Sequence, residues 1–97
     1  MFAKDARIIF TGCNAAGQFA NPLKNYPHVE MRNSIAYRTT MRTGITTIGS
    51  FGGSEPVSDP DNGLRKSLGK GWFMLSRKES KSQYLGHVID PAAHLAR

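Results

Sequence analysis

The chain reads as an α/β domain, a small mixed β-sheet with short helices, and three observations predict it. Four stretches rich in β-branched and aromatic residues lie along the sequence, and glycines and asparagines punctuate the segments between them. The clearest helix-start signals, Asn21-Pro22 and Asp90-Pro91, sit where only a short helix can follow. Residues 1–97 make one small domain, or a fragment of a larger α/β domain. A chain of this length buries only roughly 60–65% of its unfolded surface, so its stability is limited.

In chain order, Ala6-Arg7-Ile8-Ile9-Phe10-Thr11 predicts a buried strand that feeds a tight turn through Gly12, Asn14 and Gly17. Pro22 and Pro27 confine any helix in the next segment to a start near Asn21, with Pro22 in the first helical position. The alternation at Val29 and Met31 breaks before Ile35 and Tyr37, which predicts a strand near Val29–Met31 and another element from Ile35 onward. Ile45-Thr46-Thr47-Ile48 has strong strand propensity and is ended by Gly49, Gly52 and Gly53. Ser54 to Gly63, with two prolines and the turn signal Asp61-Asn62-Gly63, predicts a surface loop. Gly71–Leu75 and Gln83–Ile89 read as strands joined by a solvated hairpin connection over Arg77–Lys81. Asp90 then stands as the N-cap of a terminal helix from Pro91. These patterns place Ile8, Phe10, Ile45, Ile48, Phe73, Leu75, Leu85 and Val88 in the core.

With 39% hydrophobic and 21% charged residues, the composition is that of an ordinary globular domain rather than a disordered or collagen-like chain. No apolar run approaches the length of a membrane span, and Lys4 and Asp5 stand where a signal peptide needs apolar residues. A cytoplasmic protein with no membrane partner, or a part of something larger, is the reading. One cysteine excludes an intramolecular disulfide and a cysteine-based zinc site, and His28, His87 and His94 are too widely spaced for a local metal motif. Gly49-Ser50-Phe51-Gly52-Gly53-Ser54 has neither phosphate-loop nor dinucleotide-loop spacing, so no cofactor is predicted and the segment reads as a bend between strands.

Thirteen basic against seven acidic residues give a formal charge of +6. Residues 64–81 concentrate it in Arg65, Lys66, Lys70, Arg77, Lys78 and Lys81 against the single acid Glu79. Interleaved with Trp72 and Phe73, these cations carry the chemistry of a single-stranded nucleic acid site, where cations meet phosphates and rings stack on bases. On a strand, however, Trp72 and Phe73 point to opposite faces, so at most one joins an exposed platform. The same block suits an acidic protein partner equally well.

Ile8-Ile9-Phe10-Thr11-Gly12-Cys13-Asn14-Ala15-Ala16-Gly17 delivers a cysteine from a hydrophobic strand into a turn of small residues. Such a turn can expose the sulfur and aim backbone N–H groups at a developing oxyanion. Free cysteine is more often a small buried hydrophobe, the reading favoured for Cys13. Together with Ile45–Gly53 and Gly71–Phe73, the segment resembles the Cys-bearing half of caspase-like (clan CD) cysteine peptidase domains. The resemblance implies part of a caspase-like fold and transfers a nucleophile role to Cys13 alone. In that family the catalytic histidine precedes the cysteine, whereas all three histidines here follow Cys13. The reading is therefore a protein-interaction module or partial caspase-like domain that binds an acidic protein or its own missing half. Cysteine-dependent peptidase activity and single-strand binding by residues 64–81 are the alternatives.

Overall fold

The computed structural model describes residues 6–57, 63–77 and 81–95. The fold is mixed α/β, with two sheets and one α-helix among those residues. Strands β1 (Arg7–Ile9), β2 (Thr46–Phe51), β5 (Gly71–Ser76) and β6 (Lys81–Gly86) form one sheet in the order β1-β2-β5-β6. Strands β3 (Ser54–Pro56), β4 (Arg65–Ser67) and β7 (Val88–Ile89) form the other, in the order β3-β4-β7. Among the described strands only β1 and β2 run parallel, and the crossover that parallel strands require is supplied by helix α1 (Ile35–Thr43).

Helix α1 is the element that begins at Ile35. Ser34 caps it, its Oγ accepting from the Tyr37 N–H at 3.2 Å, and Gly44 closes it in the left-handed region at φ 75°. Ala36 and Thr40 fall four residues apart on its buried face. The contact with the sheet is polar: Thr47 Oγ1 lies 2.7 Å from Thr40 Oγ1 and donates to the Ala36 carbonyl at 2.9 Å. Register puts Leu75 opposite Thr47, so alternation places both on the α1 side of the sheet.

The opposite side of the same sheet carries Ile48 and Trp72, which pack with Ile89 of β7 as the buried core, flanked by Ile9, Met74 and Leu85. The arrangement is thus helix, sheet, small sheet, with the four-stranded sheet in the middle. Each face buries little, as a domain of this size must.

Several expectations shift. The strands at 45–48 and 71–75 are present as β2 and β5, displaced or extended by a residue or more. Residues 31–33 form a 3₁₀ turn rather than a strand, and Val29 makes only an isolated bridge with Gln18. Pro22–Lys24 is likewise a single 3₁₀ turn, started at Asn21. Pro91–His94 is another, with Asp90 accepting from the Ala92 N–H at 3.0 Å. Ser54–Pro56 pairs as β3 instead of looping. Residues 58–62 and 78–80, which hold most of the predicted turn and of the hairpin connection, lie outside the described residues. Of the predicted core, Val88 is 49% exposed, because the bend between β6 and β7 resets the alternation of the preceding strand. Ile8, Phe10, Ile45, Phe73 and Leu85 are half-buried.

Candidate functional site

Open α/β sheets bind ligands beyond the carboxyl ends of their parallel strands, and here that end gathers three loops. The first, residues 11–19, leaves β1 and carries Cys13. Asn14 adopts a left-handed conformation at φ 65°, which a small polar side chain tolerates. Its N–H donates to the Gly52 carbonyl at 2.8 Å, the Ala16 N–H to Ser50 at 3.0 Å, and the Gly17 N–H to Asn14 at 3.2 Å. These donors therefore tie the loop down instead of facing an oxyanion.

Cys13 itself is exposed. Its Sγ accepts from the Ser54 N–H at 3.4 Å and donates toward the Ser54 carbonyl at 3.6 Å. The thiol thus serves as a cap on the first residue of β3. Ser54 Oγ in turn donates to the Thr11 carbonyl at 2.9 Å and accepts from Arg65 Nη2 at 3.2 Å. No imidazole is among the polar contacts of Sγ, and His87 stands beyond β4, joined to Ser67 by the Ser67 N–H donating to its carbonyl.

The second and third loops are the Phe51–Gly53 turn after β2 and residues 68–70 between β4 and β5. The Leu68 N–H donates to Gly53 at 2.8 Å and the Lys70 N–H to Phe51 at 2.9 Å, which presses the two loops together. Gly69 lies at the join. A Cβ there would stand 2.2 Å from the Phe51 carbonyl oxygen, so only glycine permits this approach. Ser67 Oγ supports the same loop from beneath, accepting from the N–H groups of Gly69 at 3.3 Å and Gly71 at 3.1 Å.

Aromatic rings flank Gly69 on two sides. Phe19 meets Phe51 edge to face with ring centroids 5.1 Å apart, and the Lys70 ammonium lies over both rings, 4.8 Å from Phe51 and 5.6 Å from Phe19. On the other side, His87 Nε2 lies 3.1 Å from the Gly69 carbonyl and Nδ1 lies 2.7 Å from the Tyr84 hydroxyl. A carbonyl only accepts, so Nε2 carries the hydrogen and a neutral ring accepts from Tyr84 at Nδ1. Phe19, Leu68 and Tyr84 are exposed by 45%, 59% and 52%. Three large exposed apolar side chains carried by these loops and the neighbouring β6, with the Lys70 ammonium among them in sequence, have the composition of a surface suited to a partner.

The basic block does not converge. Arg65 is half-buried on β4 and Lys66 is exposed beside it, on the smaller sheet. Lys70 stands just before β5, whereas Arg77 follows its far end, beyond the strand's own length of about 17 Å, and donates to the Met41 carbonyl at 3.3 Å. Lys81 opens β6 opposite Ser76, at the Arg77 end, and Lys78 lies outside the described residues. Trp72 corrects the expectation of a stacking platform: it is 0% exposed, because its position opposite Ser50 turns the indole into the core against Ile48 and Ile89. The exposed surface that the sequence reading did not identify is made instead by Phe19, Leu68, Tyr84 and His87. Their shared feature, an unpatterned apolar or imidazole residue close to a glycine, is the one signal the sequence carries for them.

Among the described residues no group of three or more His, Cys, Asp or Glu side chains is placed to hold a metal ion. No described helix is long and apolar enough to cross a membrane. No family model matches the chain, and no match to it is found among curated proteins or solved structures.

Proposed function

We propose that the protein is a small protein-interaction module that docks an acidic segment of a partner on the surface formed by Phe19, Leu68, Lys70 and Tyr84. The observation that carries this reading is the Lys70 ammonium lying over the Phe51 and Phe19 rings. A lysine held in this way gives up less side-chain freedom when a carboxylate arrives, and the apolar groups beside it supply area that leaves water on docking. The formal charge of +6 adds long-range attraction for an acidic surface.

The likeness to the Cys-bearing half of caspase-like domains is compatible with this reading. A strand-helix-strand unit that presents Cys13 with no contacting base among the described residues acts by binding, and a missing half of such a domain belongs to the same class of partner. Nucleic-acid binding has weaker support, because Trp72 is core and the cations of residues 64–81 are dispersed.

The test is capture of interacting proteins on immobilised wild type, Leu68→Glu and Lys70→Glu, with binding to a random single strand and a random duplex measured in parallel. A partner retained by wild type, lost on both substitutions and weakened by salt is the expected result. Retention that ignores both substitutions, or micromolar binding of either nucleic acid with no protein partner, overturns the proposal.

A further inference from the structure

The far end of the middle sheet carries a second feature. Among the described residues strand β6 is an edge that pairs with β5 alone, and its Ser82, Gln83 and Tyr84 are exposed. Helix α1 covers β2 and β5 but stops short of β6, which leaves a groove of about 260 Å³ between helix and edge. Met31, Tyr37, Met41 and Leu75 give it apolar walls, and Arg32 and Ser82 also line it. The volume falls below the roughly 300–1,000 Å³ of small-molecule sites and suits one large side chain.

We propose that the β6 edge and this groove accept an extended acidic peptide segment, added as a further strand, with one apolar side chain seated in the groove. Strand addition satisfies the outward N–H and C=O groups of β6, which an exposed edge otherwise leaves to water. A residue placed beside Ser82 projects to the same face as Ser82 and Leu75, the face on which the groove opens. Ser82 has a short side chain, so a long neighbour can lean across it toward Met31, Tyr37 and Met41. Methionine walls adapt to the shape of the group they receive.

Charge selects the acidic class. Arg32 lines the groove, and Arg77 is anchored at its helix side through the carbonyl of Met41, another wall residue. The one described carboxylate in contact with this set is Glu30, paired to Arg32 Nε at 2.9 Å, with the two side chains 54% and 74% exposed. An incoming carboxylate therefore meets cations that remain open to water. The groove lies at the opposite end of β5 from Lys70, and although Tyr84 borders both surfaces, residues 37–41 border only the groove and tell the two apart.

The experiment titrates the isotope-labelled full chain with two end-blocked peptides, Glu-Thr-Val-Phe-Val-Thr-Glu and the same sequence with Lys at both ends. The acidic peptide is expected to shift amide signals of residues 81–86 and 37–41 and to slow hydrogen exchange on the outward side of β6. Ser82→Trp, which fills the groove from an exposed position without adding charge, should weaken it about tenfold or more. Arg32→Glu, at a side chain already in water, should narrow the preference for the acidic over the basic peptide. No shifts by about 1 mM peptide, shifts that spare residues 37–41, or unchanged affinity in a folded Ser82→Trp variant each overturn the proposal. So does a dimer through β6 that persists when the peptide is added, since a second copy then owns the edge.

Discussion

A single methyl group at Gly69 tests whether the loops of the docking surface are packed as described. In Gly69→Ala the new Cβ would meet the Phe51 carbonyl oxygen at 2.2 Å and Gly52 Cα and a Phe19 ring carbon at 3.0 Å each. Two of these three obstacles are backbone, so the loops must separate. Separation breaks the Lys70 N–H bond to Phe51 and the Leu68 N–H bond to Gly53, which flank the clash. At about 1 kcal/mol for each bond and about 1–3 kcal/mol for overpacking, the loss comes to about 3–5 kcal/mol. A chain of this length has only about 5–15 kcal/mol in total. With about 4–8 °C per kcal/mol for a domain of this size, Tm should fall by at least about 12 °C in a calorimetric or circular-dichroism melt. Gly12→Ala is the matched control, since no atom lies within 4 Å of its new Cβ, and it should change stability by less than about 0.5 kcal/mol. If the two variants melt within about 2 °C of each other, the packing of residues 68–70 against Phe51 and Gly52 is wrong.

Trp72→Ala should cost about 3–5 kcal/mol in denaturant unfolding, because its side chain is fully buried between the sheets; a loss below about 1 kcal/mol would mean the indole faces solvent. Thr47→Val should cost about 1–3 kcal/mol, since it strips hydrogen bonds from the Thr40 hydroxyl and the Ala36 carbonyl, while Thr46→Val on the opposite face should be tolerated. Equal melting of the two valine variants would show that the helix-sheet contact is not held by hydroxyls. Exposed Cys13 should react with a thiol reagent without denaturant, and Cys13→Ser should keep the fold and the partner captured by wild type. Loss of that partner in the serine variant would move the cysteine into the binding surface.

The legible parts of the fold were those whose residues state their own environment. Ile45–Ile48 and Gly71–Leu75 announce strands by propensity, and Asp90-Pro91 announces a capped turn whatever surrounds it. The smaller sheet was not legible, because β3 reads Ser-Glu-Pro and β4 reads Arg-Lys-Ser. Their inward residues, Ser54 and Ser67, are buried by virtue of hydrogen bonds rather than hydrophobicity, so no apolar alternation marks them. Helix α1 was hidden for a related reason: its inner face is Ala36 and Thr40, with Ile35 exposed, which blurs the helical period. For the candidate site, charge counting located the cations but not the partition of residues 64–81 between two sheets. Phe19, Lys70 and Tyr84 meet only through Gly69, a long-range approach that local sequence does not encode.

Gly86 sits where these two sheets exchange the chain. It is paired with Trp72 in the middle sheet, its φ of 102° turns the backbone at a value that strains an L side chain, and two residues later Val88 pairs with Lys66 in the smaller sheet. Mechanically this corner is a shared rivet. Tension applied to the end of β7 passes through His87 and Gly86 into β6 and β5 before either sheet can peel from the other. Leu85 and Ile89, on the two sides of the corner, should then lose hydrogen-exchange protection in one event rather than two. A partner pulling on β6 would be felt at β4, because the covalent corner at Gly86 and His87 hands the load to β7, and the β7–β4 pairing passes it to the strand that leads into the loop carrying Lys70.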